Sequence, residues 1–271
     1  MEFWIIIFFF FGAAFGSFIN MLIWRLHTGE SLMGRSYCDH SKKQLKPIDL
    51  IPIFSFLIFK GKCRECGKKI PILYPVVEFI AGALFALAFI KSYTNFFDIA
   101  SADLNFGFVI VGTIILGIFL LIELFFGYFD YLYWEIESRS VYVCVGITFL
   151  IVLLGFIYPL PFINNPLNHL LGGILLAGII GLVYILSKKG GMGEGDIFLF
   201  GITGLMLGVE GGLVAFFITV MSGSIIGIIK SIKTKKIKDV KIQLAPFIAF
   251  GTIIALFFHE EIISFYLSML V

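Results

Sequence analysis

Charged side chains are what this sequence has least of. Lys, Arg, Asp and Glu make up 14% of 271 residues, against 59% hydrophobic residues and a mean hydropathy of +1.03. A soluble chain of this length needs far more polar surface to cover its core. The composition therefore excludes an ordinary soluble globular protein and indicates a polytopic membrane protein. A net charge of +2 says little in such a chain; where the charges lie says more. Internal repeats and low-complexity tracts are absent, as is a Gly-rich nucleotide loop following a strand. The opening apolar run, 3–24, also lacks what a cleaved signal peptide needs. Glu2 is its only preceding charge, no small-residue cleavage site follows, and the basic residues come after it, from Arg25. A permanent helix with its N-terminus outside is expected.

Further apolar runs follow at about 74–91, 106–129, 139–158, 168–187, 196–209, 211–229 and 244–267. Judged against the bilayer's hydrocarbon thickness, these predict an all-α bundle of about eight transmembrane helices. One small cytoplasmic, cysteine-containing insert, 26–72, interrupts it. With the N-terminus outside, the cytoplasmic loops collect nineteen of the twenty Lys and Arg: Arg25 to Lys69, Arg139, Lys188, Lys189, and Lys230 to Lys241. Asp98, Asp103, Glu210, Glu260 and Glu261 fall outside. This division fixes the orientation and places both termini outside. It also explains the basic run 230–241 without a nucleic-acid or lipid ligand.

The insert carries Cys38, Cys63 and Cys66, with Asp39 and His40 beside the first. A C-x-x-C pair that meets another cysteine-bearing loop about 25 residues away has the layout of a small zinc site. Position 41, where a second C-x-x-C would end, is Ser41. Three thiolates with His40 or Asp39 could complete a tetrahedron; an unmetallated remnant and a disulfide are the alternatives. Cys144 lies in an apolar run and reads as a packing residue.

Two acids stand at the same membrane face. Asp130 ends the third apolar run, and Asp196 opens the sixth after Gly190-Gly191-Met192-Gly193-Glu194-Gly195. Glycines there let the backbone turn and let an extended peptide approach closely, while an Asp at a helix start can accept bonds from unpaired N–H groups. Two carboxylates sharing a poorly solvated site cannot both ionise easily. One holds a proton while the other activates water, as in an aspartyl protease. Glu123, seven residues before Asp130, shares its helical face and belongs either to the same site or to a contact with a neighbouring helix. In the first run, Gly16 and Ser17 suit close helix packing and Asn20 an interhelical hydrogen bond.

Taken together these pieces resemble the type IV prepilin peptidases, membrane aspartyl proteases with a G-x-G-D motif. The resemblance rests on Gly16-Ser17-Phe18-Ile19-Asn20 with Arg25-Leu26, on Cys38, Leu45, Asp49, Ile51-Pro52, Ser55, Gly61, Cys63-Arg64 and Cys66, and on Tyr74-Pro75 with Glu78. It continues through Asp130 with Ile136, Gly193-x-Gly195-Asp196, Gly223-Ser224-x-x-Gly227 and Ala245-Pro246-Phe247. The chain departs from the family's pattern at Ser41, at Glu137-Ser138 (often Pro-Asp) and at Phe198 (often Lys).

The resemblance implies a division into an N-terminal part, 1–92, and a peptidase part, 93–271. It implies Asp130 and Asp196 as the catalytic pair, shaped by Gly193, Gly195 and Glu123. The substrates would be prepilins or pseudopilins, cut after a Gly at the cytoplasmic face of the bacterial inner membrane. S-adenosylmethionine-dependent methylation of the new N-terminus would be tied to Gly16, Asn20 and Glu78; zinc would sit on Cys38, Cys63, Cys66 and His40. The lipid bilayer is the other partner, a homo-oligomer is compatible with the sequence, and nucleic acid is not expected. Rival readings are a G-x-G-D intramembrane protease that cuts within an apolar helix, and a transporter or assembly scaffold in which the two aspartates bind a cation or a partner.

Overall fold

The structure, a computed structural model, describes residues 1–38, 40–99, 106–158, 160, 162–163, 165–187, 193–234 and 241–269, with the backbone alone for 96–99. Expectations placed on Asp39, Asp103, Lys188, Lys189, Gly190, Gly191, Met192 and 235–240, and on the Asp98 side chain, lie outside the described residues.

Every extended element among the described residues is a helix, as a bilayer requires, because a helix satisfies its own backbone groups where no water can. In order they are α1 (Glu2–Thr28), α2 (Phe54–Ile58), α3 (Leu73–Ile99), α4 (Phe106–Tyr133), α5 (Ser138–Leu154), α6 (Pro166–Leu186), α7 (Glu194–Thr234) and α8 (Ala245–Ser268), with a short 3-10 turn at Pro47–Leu50. Among the described residues six are long and apolar enough to cross a membrane: α1, Leu73–Asn95 of α3, α4, α6, α7 and α8. The protein is an all-α, multi-pass membrane protein.

That count differs from the eight apolar runs for two reasons. α5 has 17 residues, at the lower limit for a span. The runs at 196–209 and 211–229 belong to one element broken at Gly208, whose φ of 71° and ψ of −170° only glycine adopts readily. The chain doubles back there. The rings of Phe200 and Phe216 would lie ~24 Å apart along a straight helix, yet their centroids are 5.6 Å apart. A Cβ on Gly212 would sit 3.4 Å from the Gly204 Cα. α7 is thus a tight hairpin of two helical arms, and His169 of α6 braces the break with Nδ1 3.0 Å from the Leu205 carbonyl.

Compactness divides the described chain into Met1–Leu121 and Ile122–Val271, with the boundary inside α4. In the first unit α1 packs on α3 through small residues. A Cβ on Gly12 would meet the Ala81 carbonyl at 2.5 Å, and one on Gly16 the Glu78 Cα at 2.7 Å. That is the backbone-to-backbone approach small residues permit between membrane helices. Phe106 at the start of α4 packs at a tilt against Trp4, ring centroids 5.1 Å apart, and Phe85 lies across Gly117. In the second unit α7 is central, packed by α5, α6 and α8. Gly172 and Gly204 pass so closely that a Cβ on Gly204 would lie 2.3 Å from the Gly172 carbonyl, and Gly251 of α8 similarly faces Thr219 and Ala215.

Candidate active site

Asp130 and Asp196 come together in the second unit, close enough for their charges to interact. Both are buried, each 7% exposed. The sequence places Asp196 at the opening of its helix; the structure starts α7 at Glu194, so Asp196 stands in the first turn rather than at its cap. From there its carboxylate bends back: Oδ2 accepts the Gly193 backbone N–H at 3.1 Å, and the Asp196 N–H reaches the Gly193 carbonyl at 3.2 Å. This satisfies an N–H group that the helix start would otherwise leave open. Gly195 makes a different contribution. A Cβ there would lie 2.7, 2.9 and 3.0 Å from Cδ1, Cβ and Cγ2 of Ile136, so its lack of a side chain lets α7 begin against the turn that follows Asp130.

Asp130 is held by the start of α8. Its Oδ2 accepts the Ala245 N–H at 3.2 Å, a group at a helix N-terminus that favours an anion. Gln243 fixes the backbone alongside, donating from Nε2 to the carbonyls of Asp130 and Tyr131. Trp134 then ends α4 with a left-handed residue at φ 59°, and its N–H returns to the Asp130 carbonyl at 2.8 Å. Sequence reading singled out Ala245-Pro246 only as part of a motif and missed Gln243, because neither lies near an aspartate along the chain.

Glu123 is 2% exposed. Its Oε1 accepts the Thr203 hydroxyl at 3.2 Å, and Thr203 Oγ1 lies 3.1 Å from Thr252 Oγ1. Of the two sequence alternatives, the helix contact is the one seen. The departures have structural roles as well. Glu137 caps α5, its carboxylate accepting the Ser140 N–H. Partial burial would raise its pKa, but bonds from the side chain and backbone of Ser140 and the backbone of Arg139, with the Arg139 charge, hold it below the usual carboxylate value. Phe198 packs edge-on against Tyr142, ring centroids 5.3 Å apart.

The first unit holds a cavity of about 220 Å³ lined by Ser17, Asn20, Trp24, Arg25, Tyr74 and Glu78 with residues of the polar insert. Gly16 brings α1 onto the Glu78 backbone, and Asn20 Nδ2 donates to the Tyr74 carbonyl at 3.1 Å. So Gly16, Asn20 and Glu78 are gathered at one place. Glu78 Oε2 accepts the Ile53 N–H at 2.7 Å. Ile53 has φ 64° and ψ −50°, a strained γ-turn for a β-branched residue, closed by Phe54 N–H to the Pro52 carbonyl at 2.6 Å. Arg25, 4% exposed, folds the insert inward by donating to the carbonyls of Leu32, Gly34 and Arg35. Asn20 Oδ1 and Trp24 Nε1 are buried with no hydrogen-bond partner among the described residues.

In the insert, two knuckles repeat each other with an offset of 25 residues. Cys38 N–H donates to the Lys43 carbonyl and Cys63 N–H to that of Lys68; Lys42 N–H returns to Cys38 and Gly67 N–H to Cys63. Bridges pair Tyr37 with Gln44 and Lys62 with Lys69. Ser41 therefore stands where the second knuckle has Cys66. The sulfurs of Cys63 and Cys66 lie 3.5 and 3.6 Å from that of Cys38. Tetrahedral zinc at ~2.3 Å from each thiolate needs ~3.8 Å edges, so the three fit a metal. His40 is not gathered with them: the cluster consists of the three cysteines, and His40 is exposed. Burial would raise the Cys38 thiol, but the polar groups of Ser41 and the His40 backbone beside it, with the Cys63 S–H, bring it down to about 6, while burial pushes Cys63 up. One thiolate accepting a neighbouring S–H is the arrangement this describes.

Two family descriptions match the chain: "Bacterial Peptidase A24 N-terminal domain" over residues 10–92 and "Type IV leader peptidase family" over 118–228. The chain is 33% identical to a Prepilin leader peptidase/N-methyltransferase of Bacillus subtilis, over 97% of this chain and 98% of that protein. Proteins of the same name from Legionella pneumophila and Klebsiella pneumoniae are 27% and 29% identical, over 86% and 73% of this chain and 76% and 82% of theirs. No solved structure matches.

Proposed function

The chain belongs to the type IV leader peptidase family, and from that premise we propose that it cleaves prepilin leaders with Asp130 and Asp196 as the catalytic pair. What supports the reading is a pair of buried carboxylates near enough for their charges to interact, each anchored through one oxygen to a backbone N–H at a helix start. One aspartate takes a proton from water as its oxygen attacks the scissile carbonyl. The other gives a proton to the leaving amine as the C–N bond breaks. Water is the nucleophile, so no acyl-enzyme forms. Gly193 leaves the Asp196 carboxylate free of a neighbouring side chain, and Gly195 lets α7 begin against Ile136.

The substrates are prepilins or pseudopilins, whose basic leader precedes a hydrophobic helix and is retained at the cytoplasmic face. Cleavage therefore takes place at that face of the bacterial inner membrane, with both termini outside. The division of labour is 1–92 for methyl transfer and the insert, 93–271 for the peptidase. S-adenosylmethionine, when bound, supplies a sulfonium-activated methyl group for the new N-terminus. In the N-terminal cavity Glu78 would face its positive charge, while Asn20 Oδ1 and Trp24 Nε1 offer an acceptor and a donor with no other partner among the described residues. Zinc on Cys38, Cys63 and Cys66 would lock the two knuckles together; purified protein should carry one zinc per chain, and Cys63→Ser should lose it.

The test is mass spectrometry of a prepilin-like substrate after incubation with the detergent-solubilised protein. A product beginning after the leader's Gly, heavier by one methyl group only when S-adenosylmethionine is added, supports both activities. Cleavage without that mass gain would remove the methyltransferase half. A cut within the apolar helix would point to the intramembrane-protease alternative.

A further inference from the structure

Glu123 is a buried acid that the cleavage chemistry does not use. Thr203 and Thr252 beside it are fully buried, at 0% exposure. A hydroxyl has one proton; Thr203 directs its own to Glu123, so it accepts from Thr252. The chain Thr252 to Thr203 to Glu123 therefore links α8, α7 and α4. These are the helices that supply the Ala245 N–H, Asp196 and Asp130.

The register is the same on all three. Glu123 is seven residues before Asp130, Thr203 seven after Asp196, and Thr252 seven after Ala245. Seven residues are close to two helical turns, so each lower group lies on nearly the same face as its upper one, ~10.5 Å along the helix. Between the layers α4 and α8 pack at Gly127, where a Cβ would be 3.4 Å from both the Ala249 Cβ and the Pro246 Cα. Cys144 of α5 is a further ionisable group facing Glu123.

We propose that Glu123, Thr203 and Thr252 are positioning residues that set the separation of Asp130 and Asp196. Buried polar groups must be satisfied by one another in a membrane interior, so a slide or rotation of any of the three helices breaks the lower layer. The upper layer keeps its spacing because the lower one holds. The inference rests on the reading of the two aspartates as the cleaving pair. Coupling between two carboxylates depends on their distance, so the pH–rate profile of cleavage reports the separation.

The experiment measures kcat and KM against pH for the detergent-solubilised full chain on a prepilin-like substrate, per folded enzyme by size exclusion and melting. Thr203→Val keeps the shape and deletes the bridging hydroxyl. It should lower kcat by ten- to a hundredfold, on the order expected for sub-ångström to 1 Å misplacement, and move the limbs of the profile, with KM little changed. Thr203→Ser should restore both. Thr252→Val, at the far end of the chain, should reproduce the effect more weakly and serves if Thr203→Val does not fold. Thr113→Val deletes a buried hydroxyl bonded, among the described residues, only within its own helix turn, to the Val109 carbonyl, and should leave the profile as it was. A wild-type kcat and unmoved limbs in Thr203→Val, or in Thr252→Val where that variant stands in, overturn the inference; so does a Thr203→Ser as impaired as the valine. Asp196→Asn in the same assay separates the two failures, since cleavage by that variant would sink the dyad itself.

Discussion

Gly195→Ala loads the junction between the two aspartate-bearing segments, and its effect can be worked from distances. Ordinary van der Waals contact begins near 3.4 Å, whereas an alanine Cβ would stand 2.7 Å from Ile136 Cδ1 and 2.9 Å from Ile136 Cβ. Rotating the isoleucine relieves the first clash but not the second, because Cβ is fixed to the backbone. The start of α7 must then retreat from the turn by about 0.5 Å. Overpacking of that kind costs about 1–3 kcal/mol of stability. If 1 Å of misplacement costs up to a hundredfold, half of that should lower kcat about tenfold, because Asp196 moves with the helix start. Initial rates on a prepilin-like substrate, per folded enzyme, read the result. Ile136→Gly removes the whole side chain, Cβ included, so the double variant should recover part of the loss, a coupling that only neighbours show. Wild-type rates in Gly195→Ala, or additive losses in the double variant, would refute the reasoning.

Gln243→Ala removes two hydrogen bonds to the Asp130 turn, each worth about 1 kcal/mol; kcat/KM should drop several-fold, and an unchanged value would show that the anchor is idle. Glu137→Ala deletes the α5 cap and should lower the thermal midpoint at neutral pH, in line with about 1 kcal/mol for a cap. Since the folded-state pKa of Glu137 lies below its ordinary 4.5, its contribution is present above 4.5 and is lost as pH falls through the depressed value. The gap between variant and wild type should therefore close in acid; a gap independent of pH would contradict the assignment. Ser41→Cys places a fourth thiol in the geometry that Cys66 occupies, so zinc should leave to a chelator more slowly than from the wild type. Equal release rates would mean that position 41 does not face the metal.

Much of this was legible along the chain because it is local. Apolar runs mark helices wherever the bilayer is the solvent, and the glycines before Asp196 and the C-x-x-C pair announce themselves by spacing. The repeat of the knuckles was half visible: Ser41 stands where the pattern called for cysteine, yet Lys42 still takes the left-handed turn that Gly67 takes in the second copy, at φ 55° against 69°. What stayed hidden depends on contacts between distant segments. The hairpin at Gly208 is one case, since a run with a short polar break reads the same whether its halves are separate spans or one folded element. The packing of the α7 start on Ile136 through Gly195 is another. His40 looked like a fourth ligand from adjacency alone, yet it is exposed and outside the cluster of three sulfurs. Gln243, Thr203 and Thr252 carry no local signal at all, and only the seven-residue register gives the threonines meaning.

The most direct measurement is cleavage of a prepilin-like substrate by the wild type, Asp130→Asn and Asp196→Asn, each confirmed folded, with the product identified by mass. Asparagine keeps the shape and removes the titrating carboxylate. The account predicts that the wild type cuts and that neither variant does. Cleavage by either variant at the wild-type rate would contradict it and leave Asp130 and Asp196 to a binding or assembly role.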